Sequence, residues 1–206
     1  MKSMIKNTIV IVIITIIAGA LLGGVYTLTQ EPIALQKEKT KQAACQKVFA
    51  EAEHFQVKEY APEKIQSVLD IAGFDQEAIN EVFEACNQNG EKIGYVFSVT
   101  TKEGYGGDIN FMMGVNLDGV LNGIEIISIS ETAGLGMKAK EPEFMNQFSG
   151  KKVLQFSLTK SGAAQDYEID ALSGATVTSN AMVNGVNAGM AFYNSISEEG
   201  GAQTDE

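Results

Sequence analysis

The uncharged and strongly apolar stretch from Thr8 to Thr29 constrains the chain more than any other feature. Within it, residues 9–17 are all Ile or Val except Thr15. A helix rises about 1.5 Å per residue, so this stretch matches a hydrocarbon core roughly 30 Å thick. β-Branched residues form helices poorly in water, but in lipid the backbone must satisfy its own hydrogen bonds. The stretch therefore predicts one transmembrane helix over residues 8–29, preceded by a short N-terminal segment, 1–7.

Residues at both ends of this stretch predict its orientation. Lys2 and Lys6 precede it and Tyr26 lies near its other end, at the depth where interfacial aromatic residues concentrate. The positive charges predict a cytoplasmic N-terminus at the cell membrane and an extracytoplasmic domain. A cleaved signal peptide is the alternative, because residues 18–20 (Ala-Gly-Ala) resemble a cleavage site. Apolar residues continue to Leu28, which favours a retained anchor.

Charge and composition exclude several classes of function. The net charge is −11, and the part after Lys2 and Lys6 carries −13 (−11 less two positive charges). Such an acidic domain is repelled by nucleic acid. With one histidine, His54, and two cysteines 41 positions apart, a zinc or iron–sulfur site lacks ligands. Cys45 and Cys86 either form one disulfide or remain thiols, and the sequence leaves both possibilities open.

The rest of the sequence predicts an α+β fold: one transmembrane helix, then a domain with a mostly antiparallel sheet flanked by helices. The predicted parts are a helical linker over 30–60 that begins near Pro32, a domain over 61–196 and a disordered acidic tail over 197–206. Within the domain we expect helices at 75–86, 143–148 and 179–193, and strands at 92–101, 107–116, 120–130 and 152–158. Leu117-Asp-Gly119 predicts a hairpin turn.

The segment 170–181 (DALSGATVTSNA) has the layout of an anion site. Ser173, Gly174 and Ala175 are small and allow a close approach to the backbone. Thr178 and Ser179 are good N-cap residues for the helix that follows, and a helix N-terminus can bind an anion without arginine, which this sequence lacks. On the residues alone, a capped helix after a tight turn remains the simpler interpretation.

The same segment also resembles a known motif. Asp170, Ser173, Gly174, Ala175 and Thr176 match the Asp-x-x-Ser-Gly-Ala-Thr flavinylation motif of the FMN-binding domain family. The G-type subunit of the Rnf electron-transport complex (RnfG) and the NqrC subunit of the sodium-pumping quinone reductase share this domain. The resemblance implies that a dedicated flavin transferase joins the FMN phosphate to the Thr176 hydroxyl.

Two further segments resemble the same family. One is 104–107 (Gly-Tyr-Gly-Gly), which alone is more typical of a turn. The other is 131–136 (Glu-Thr-Ala-Gly-Leu-Gly), where Ala133 replaces the usual proline without removing side-chain chemistry. The resemblance thus implies FMN contacts from Thr176, Asp170, Ser173, Gly174, Ala175, Thr178, Glu131, Thr132, Gly134, Leu135, Gly136 and Tyr105. No catalytic residue and no metal ligand is expected.

The function implied by the resemblance is that of a membrane-anchored electron carrier with covalent FMN. It would be a redox subunit of an ion-translocating ferredoxin:NAD oxidoreductase, assembled with other membrane and iron–sulfur or flavin subunits. The alternatives are an NqrC-type subunit or a flavin-free assembly module. A secreted hydrolase lacks a nucleophile–base pair. The sequence leaves open whether sodium ions or protons are coupled.

Overall fold

The computed structural model describes residues 2–202, which divide into two compact units with a boundary between Thr40 and Lys41. The first unit is the greater part of helix α1 (Lys2–Val48). Among the described residues, α1 is the one helix long and apolar enough to cross a membrane, and its apolar window is not buried. Pro32 lies inside α1, so the predicted helix start near Pro32 is wrong. The helix continues there although proline lacks the N–H that would bond to Leu28.

The second unit is built on a five-stranded antiparallel sheet in which each strand pairs with the next along the chain. Its strands are β1 (His54–Val57), β2 (Glu77–Cys86), β3 (Lys92–Thr101), β4 (Ile109–Asn116) and β5 (Leu121–Ser128). Short strands β6 (Ser157–Thr159) and β7 (Glu168–Asp170) form a separate parallel pair. The helices are α2 (Pro62–Ala72), α3 (Pro142–Met145) and α4 (Thr176–Ala202), with 3₁₀ turns at Gly136–Lys140 and Asn146–Phe148. The α+β expectation is confirmed.

Helix α4 covers one face of the sheet and forms the main core with it. Val183, Val186 and Met190 are buried, as their helical spacing predicts. Phe192, farther along α4, lies edge-on to Phe97 of β3, with ring centroids 6.2 Å apart.

The last turns of α1 belong to the second unit and cover the other face of the sheet. Val48, just before Phe49 at the end of the helix, packs with Phe49 against Val96 and Met112. Because both faces are covered, β3 is a nearly continuous buried strand and does not alternate between buried and exposed residues. The thiols of Cys45 and Cys86, both described, are buried and not joined to each other.

Several predicted elements are confirmed. Strand β3 has the predicted bounds, and β4 and β5 fall within the predicted ranges. The hairpin turn at Leu117–Gly119 joins them. Oδ1 of Asn116 accepts hydrogen bonds from the N–H groups of Asp118 and Val120, and Gly119 takes a positive φ of 79°. The predicted helix at 143–148 is present as α3 and the 3₁₀ turn after it.

The helix predicted over 75–86 is wrong, because this segment is strand β2. The register of β2 against β3 shifts between Ile79 and Glu81, so that Ile79 and Val82 both belong to the core beneath α4. Phe83 points to the opposite face and packs against the end of α1. A bulge in a strand buried on both faces therefore produced an apolar spacing that imitates a helix.

Three other expectations are corrected. The predicted strand 152–158 is reduced to Ser157–Thr159 because the Asn187 amide, not a strand, pairs with the backbone of Phe156. The linker predicted over 30–60 is not all helical, since His54–Val57 pairs with β2. Of the tail predicted as disordered, α4 includes residues up to Ala202, and residues 203–206 lie outside the described part.

Helix α2 was not predicted, although its limits follow familiar signals. Pro62 occupies its first turn. Gly73 ends it with a left-handed φ of 81°, and the N–H of Phe74 bonds back to Leu69 O.

Candidate functional site

The loop between β3 and β4 is held tightly by its glycines. A Cβ at Gly104 would lie 2.2 Å from Gly107 O, and a Cβ at Gly106 would lie 2.0 Å from Ser130 O. Neither position can accept a side chain without moving the backbone. Tyr105, between them, is 75% exposed. The loop thus presents one aromatic side chain on a compact backbone.

A second loop follows β5 and turns back at residues 132–136. The N–H groups of Leu135 and Met137 both donate to Thr132 O, at 3.1 and 3.2 Å. Gly134 has a φ of 77°, a backbone conformation that glycine tolerates best. Leu135 at the end of this turn is partly exposed.

The third loop, 171–175, leads directly into α4. The N–H of Ala175 donates to Leu172 O, and Gly174 takes a φ of 74°. Helix α4 then begins at Thr176, so the N–H groups of its first residues have no partner inside the helix. These N–H groups carry the positive end of the helix dipole beside the Thr176 hydroxyl.

Ser179 closes this third loop, and neither Thr178 nor Ser179 is the N-cap that the sequence predicted. The N–H of Leu172 donates to Ser179 Oγ at 2.9 Å, and Ser179 Oγ donates to Ala175 O at 2.9 Å. Both residues lie inside the helix, because α4 begins earlier than the predicted 179. The hydroxyl of Thr178 bonds elsewhere: it donates to Oε2 of Glu131 at 3.0 Å.

The three loops enclose a cavity of about 590 Å³. Its lining residues are Tyr105, Glu131, Thr132, Leu135, Gly136, Gly174, Ala175, Thr176, Val177 and Thr178. Leu135 and Gly174 approach each other across it, since a Cβ at 174 would lie 3.1 Å from Leu135 Cδ2. Cavities of this size hold small molecules and cofactors.

Nine of the twelve residues predicted as cofactor contacts therefore line one cavity. The other three do not. Asp170 and Ser173 line a smaller hollow of about 230 Å³ together with Lys138 and Gln147. The backbone of Asp170 is held there, since its N–H donates to Gln147 Oε1 at 2.6 Å. Gly134 does not line the cavity but takes the positive φ of the turn at residues 132–136.

Val177 lines the cavity but was not predicted. It is 50% exposed, although valine is usually buried. An apolar residue that directly follows Thr176 of the predicted motif, at a helix start, was the signal available in the sequence.

The lining suits a planar aromatic ligand with one anionic end. Its exposed apolar side chains are Tyr105, Leu135 and Val177. Among the described residues that line it, Glu131 is the one with a charge. The phosphate would therefore depend on the backbone N–H groups at the start of α4 and on the Thr176 hydroxyl, not on a cation. No cluster of metal-ligating side chains occurs among the described residues.

A second buried carboxyl group, that of Glu77, lies beside Glu103. Burial, together with the neighbouring carboxylate of Glu103, raises the pKa of Glu77 to about 7. The hydroxyl of Thr101 donates to Glu77 at 3.3 Å and partly offsets these effects. Glu103 in turn accepts a 2.6 Å hydrogen bond from Asn184 of α4. Glu103, the residue immediately before Gly104, is thus held by Asn184 and lies beside Glu77.

Comparison with known proteins places this cavity in a family. Residues 104–191 match the FMN-binding domain, and residues 1–48 match the RnfG N-terminal region. The chain is 30% identical to the G-type subunit of the Na⁺-translocating ferredoxin:NAD⁺ oxidoreductase complex of Acetobacterium woodii, across 96% of this chain and 95% of that relative. The chain belongs to the RnfG family of ion-translocating oxidoreductase subunits.

Another member of the RnfG family has a name that specifies a different ion. The G-type subunit of the proton-translocating ferredoxin:NAD⁺ oxidoreductase complex of Clostridium ljungdahlii is 30% identical over 82% of this chain and 80% of its own length. Among solved structures, NqrC of Shewanella oneidensis matches 58% of this chain and 59% of its own, with 19% identity and a TM-score of 0.49. All twelve predicted contact residues fall inside the FMN-binding match.

Proposed function

We propose that this chain is the electron-carrying G-type subunit of an ion-translocating ferredoxin:NAD oxidoreductase complex, with FMN bound covalently through its phosphate to Thr176. The observation that carries the proposal is the position of Thr176. It is the first residue of α4 and lines the 590 Å³ cavity. It performs no acid–base chemistry and serves as an attachment point.

The first turn of α4 supports the phosphate end of this arrangement. The free N–H groups of the helix start lie next to the Thr176 hydroxyl, and the helix dipole favours negative charge there. Because the chain has no arginine and no lysine lines the cavity within the described part of the chain, these groups are the available anion donors. A covalent bond would add the retention that such a weak electrostatic site lacks.

The other walls support the ring. Tyr105, Leu135 and Val177 offer apolar surface, and the turn 132–136 offers backbone groups. FMN bound there would supply one-electron and two-electron redox chemistry, while the protein tunes it through local polarity. We assign contacts to Glu131, Thr132, Gly134, Gly136 and the motif residues Asp170, Ser173, Gly174, Ala175 and Thr178 as part of the same proposal.

The covalent step needs an activated flavin donor, because joining free FMN to a hydroxyl would require loss of water. A flavin dinucleotide satisfies this. The bond between Oγ1 of Thr176 and the FMN phosphorus forms, the diphosphate bond breaks, and the nucleoside monophosphate leaves. The hydroxyl proton passes to the medium, and no group is oxidised or reduced. A flavin transferase would be the partner for this maturation.

The N-terminal helix supports the location. We propose that α1 spans the cell membrane once, with Lys2 and Lys6 in the cytoplasm and the FMN domain outside. The remaining membrane and redox subunits of the complex would be its partners. A tethered cofactor suits this location, because a dissociated FMN outside the cytoplasm would be lost by dilution.

The test is expression of the full chain with and without a flavin transferase. We expect a fluorescent band on a denaturing gel and an intact mass raised by one FMN less one water, both only with the transferase. Thr176→Ala should lose both signals, whereas Thr176→Ser keeps a hydroxyl and should retain them. Thr40→Ala, at an exposed threonine of α1 that does not line the cavity, is the matched control. A bare polypeptide mass for the wild type would contradict the covalent proposal and favour a flavin-free assembly role.

A further inference from the structure

We infer that Glu131 is a positioning residue, whose carboxylate fixes Thr178 and thereby the direction in which α4 presents Thr176 to the flavin donor. This inference rests on the proposed function. Both oxygens of Glu131 are engaged: Oε1 accepts the N–H of Gly106 at 3.1 Å, and Oε2 accepts the hydroxyl of Thr178 at 3.0 Å. One side chain of the loop after β5 therefore joins the 104–107 loop to the first turn of α4.

Burial gives these two bonds their importance. Glu131 is 8% exposed and Thr178 is 1% exposed. Hydrogen bonds to an ionised carboxylate are stronger than neutral ones, and a buried group that loses its partner is costly. The Glu131 carboxylate is thus a structural connection at the base of the cavity.

Glycines of both loop motifs lie close to Glu131. A Cβ at Gly104 would lie 2.9 Å from Oε1, and a Cβ at Gly136 would lie 2.6 Å from Oε2. A Cβ at Gly106 would lie 3.3 Å from the Cα of Glu131. Three glycines on two backbone segments therefore pack closely against Glu131. The carboxylate accounts for glycine at position 136, whereas Gly104 and Gly106 are also required by the closer Gly107 and Ser130 carbonyl oxygens.

Helix geometry transmits the position of Thr178 to Thr176. Successive residues of an α-helix are related by a fixed rotation of about 100°, so holding one side chain sets the directions of its neighbours. Thr176 and Thr178 belong to the first turn of α4, and both line the cavity. Thr178 is buried against Glu131, whereas Thr176 is half-buried, so fixing Thr178 fixes the direction of Thr176.

Substitutions at the two partners separate this role from general packing. Thr178→Val keeps the shape and removes the hydroxyl, and Thr178→Ser keeps the hydroxyl. In Glu131→Gln the single carbonyl oxygen must face the fixed N–H of Gly106, and the new NH₂ then faces Thr178. The threonine hydroxyl can turn and accept from it, so a weaker, neutral hydrogen bond replaces the ionic one.

The experiment measures flavin loading of the full-length chain in detergent, with a flavin transferase and a flavin dinucleotide, over a range of chain concentrations. We expect Thr178→Val to lower kcat for loading about tenfold, which corresponds to the loss of one hydrogen bond to a charged group. KM for the chain should stay within about twofold. Thr178→Ser should load like the wild type, and Glu131→Gln should fall between the wild type and Thr178→Val.

The matched control is Thr101→Val, which removes another buried threonine hydroxyl that donates to a glutamate, Glu77, outside the cavity. It should lower the melting temperature without changing kcat. The inference is overturned if Thr178→Val and Glu131→Gln load at the wild-type kcat, or if Thr178→Ser is as slow as Thr178→Val. If Thr178→Val does not fold, Glu131→Gln and Thr178→Ser decide by the same criteria. An unloaded wild type would instead contradict the proposed function itself.

Discussion

Gly136 lies so close to Glu131 that a Cβ at position 136 would come within 2.6 Å of the Oε2 atom. The same Cβ would lie 2.6 Å from Oγ1 of Thr178, so it would separate the two partners of the hydrogen bond between them. Position 136 has room for a hydrogen atom alone. The Gly-Leu-Gly sequence of this loop thus contains one glycine required by space and one, Gly134, required by its backbone angle.

We therefore expect Gly136→Ala to lower the free energy of unfolding by roughly 2–3 kcal/mol, the upper range for overpacking a rigid site. Gly134→Ala is the matched comparison, because a Cβ there meets open space and adds only the strain of a positive φ, about 1 kcal/mol. Thermal unfolding of the full chain in detergent, followed by circular dichroism, measures both. Equal losses for the two variants would contradict the close contact with Glu131.

The raised pKa of Glu77 should make the stability of the folded chain depend on pH. Its folded pKa of about 7 lies above the ordinary value of 4.5, so the folded state binds the proton more tightly than the unfolded chain does. The stabilising contribution of the neutral carboxyl is complete below about pH 4.5 and is lost as the pH rises to about 7. Glu77→Gln keeps the neutral form at every pH. The variant should match the wild type at pH 5 and exceed it by roughly 1–3 kcal/mol at pH 8.

Melting temperatures of the wild type and Glu77→Gln at pH 5 and pH 8 test this prediction. Glu63→Gln, at an exposed glutamate of α2, controls for the change in net charge. A constant difference between Glu77→Gln and the wild type at the two pH values would show that Glu77 does not titrate in this range.

The side chain of Asn187 in α4 holds the backbone of the segment before β6. Its Oδ1 accepts the N–H of Phe156 at 2.7 Å, and its Nδ2 donates to Phe156 O at 2.9 Å, both in the buried interior. Asn187→Ala leaves two buried backbone groups unpaired and should cost roughly 2–4 kcal/mol. Asn180→Ala, at an exposed position of the same helix, should change little.

Hydrogen exchange gives the specific signature of the Asn187 contact. The Phe156 amide should exchange far faster in Asn187→Ala than in the wild type, while the exchange rates of amides in β3 and β4 should rise only in proportion to the loss of global stability. Unchanged protection of Phe156 would mean that its backbone finds another partner.

Gly94 of β3 lies where the end of α1 packs on the sheet. A Cβ at Gly94 would lie 2.4 Å from Val115 O and 2.6 Å from the Phe49 ring, and a backbone carbonyl cannot move aside as a side chain can. Gly94→Ala should therefore lower the free energy of unfolding by roughly 1–3 kcal/mol. Gly123→Ala on β5 is the milder comparison, because its nearest neighbour is the Ser149 hydroxyl at 3.1 Å, which can rotate. Similar melting temperatures for these two variants would argue against close packing at Phe49.

Sequence reasoning succeeded where one physical rule acted alone. Strand β3 is a run of β-branched and aromatic residues, and the turn at Asp118-Gly119 requires a positive φ, so both were predicted. The prediction failed at β2, because a bulge at Asn80 and burial on both faces give its apolar residues the spacing of a helix. Neither effect is visible in a single strand before its neighbours are known.

For the candidate site too, local motifs were predicted correctly and a contact between distant residues was not. The segments around Tyr105, Leu135 and Thr176 were identified from their motifs, and the fold brings them to one cavity. The role of Thr178 was predicted wrongly as an N-cap, because the cap interpretation uses only local contacts. Its partner Glu131 is 47 positions away in the chain, and only the fold brings the two side chains together.

The start of α4 places peptide N–H groups, not an ionisable side chain, beside Thr176. Amide groups of this kind keep the same polarity from acidic to alkaline conditions and cannot be neutralised by acetylation. The Glu77 carboxyl group, whose pKa is raised to about 7, changes its charge as the acidity changes. The amide groups beside the Thr176 oxygen do not.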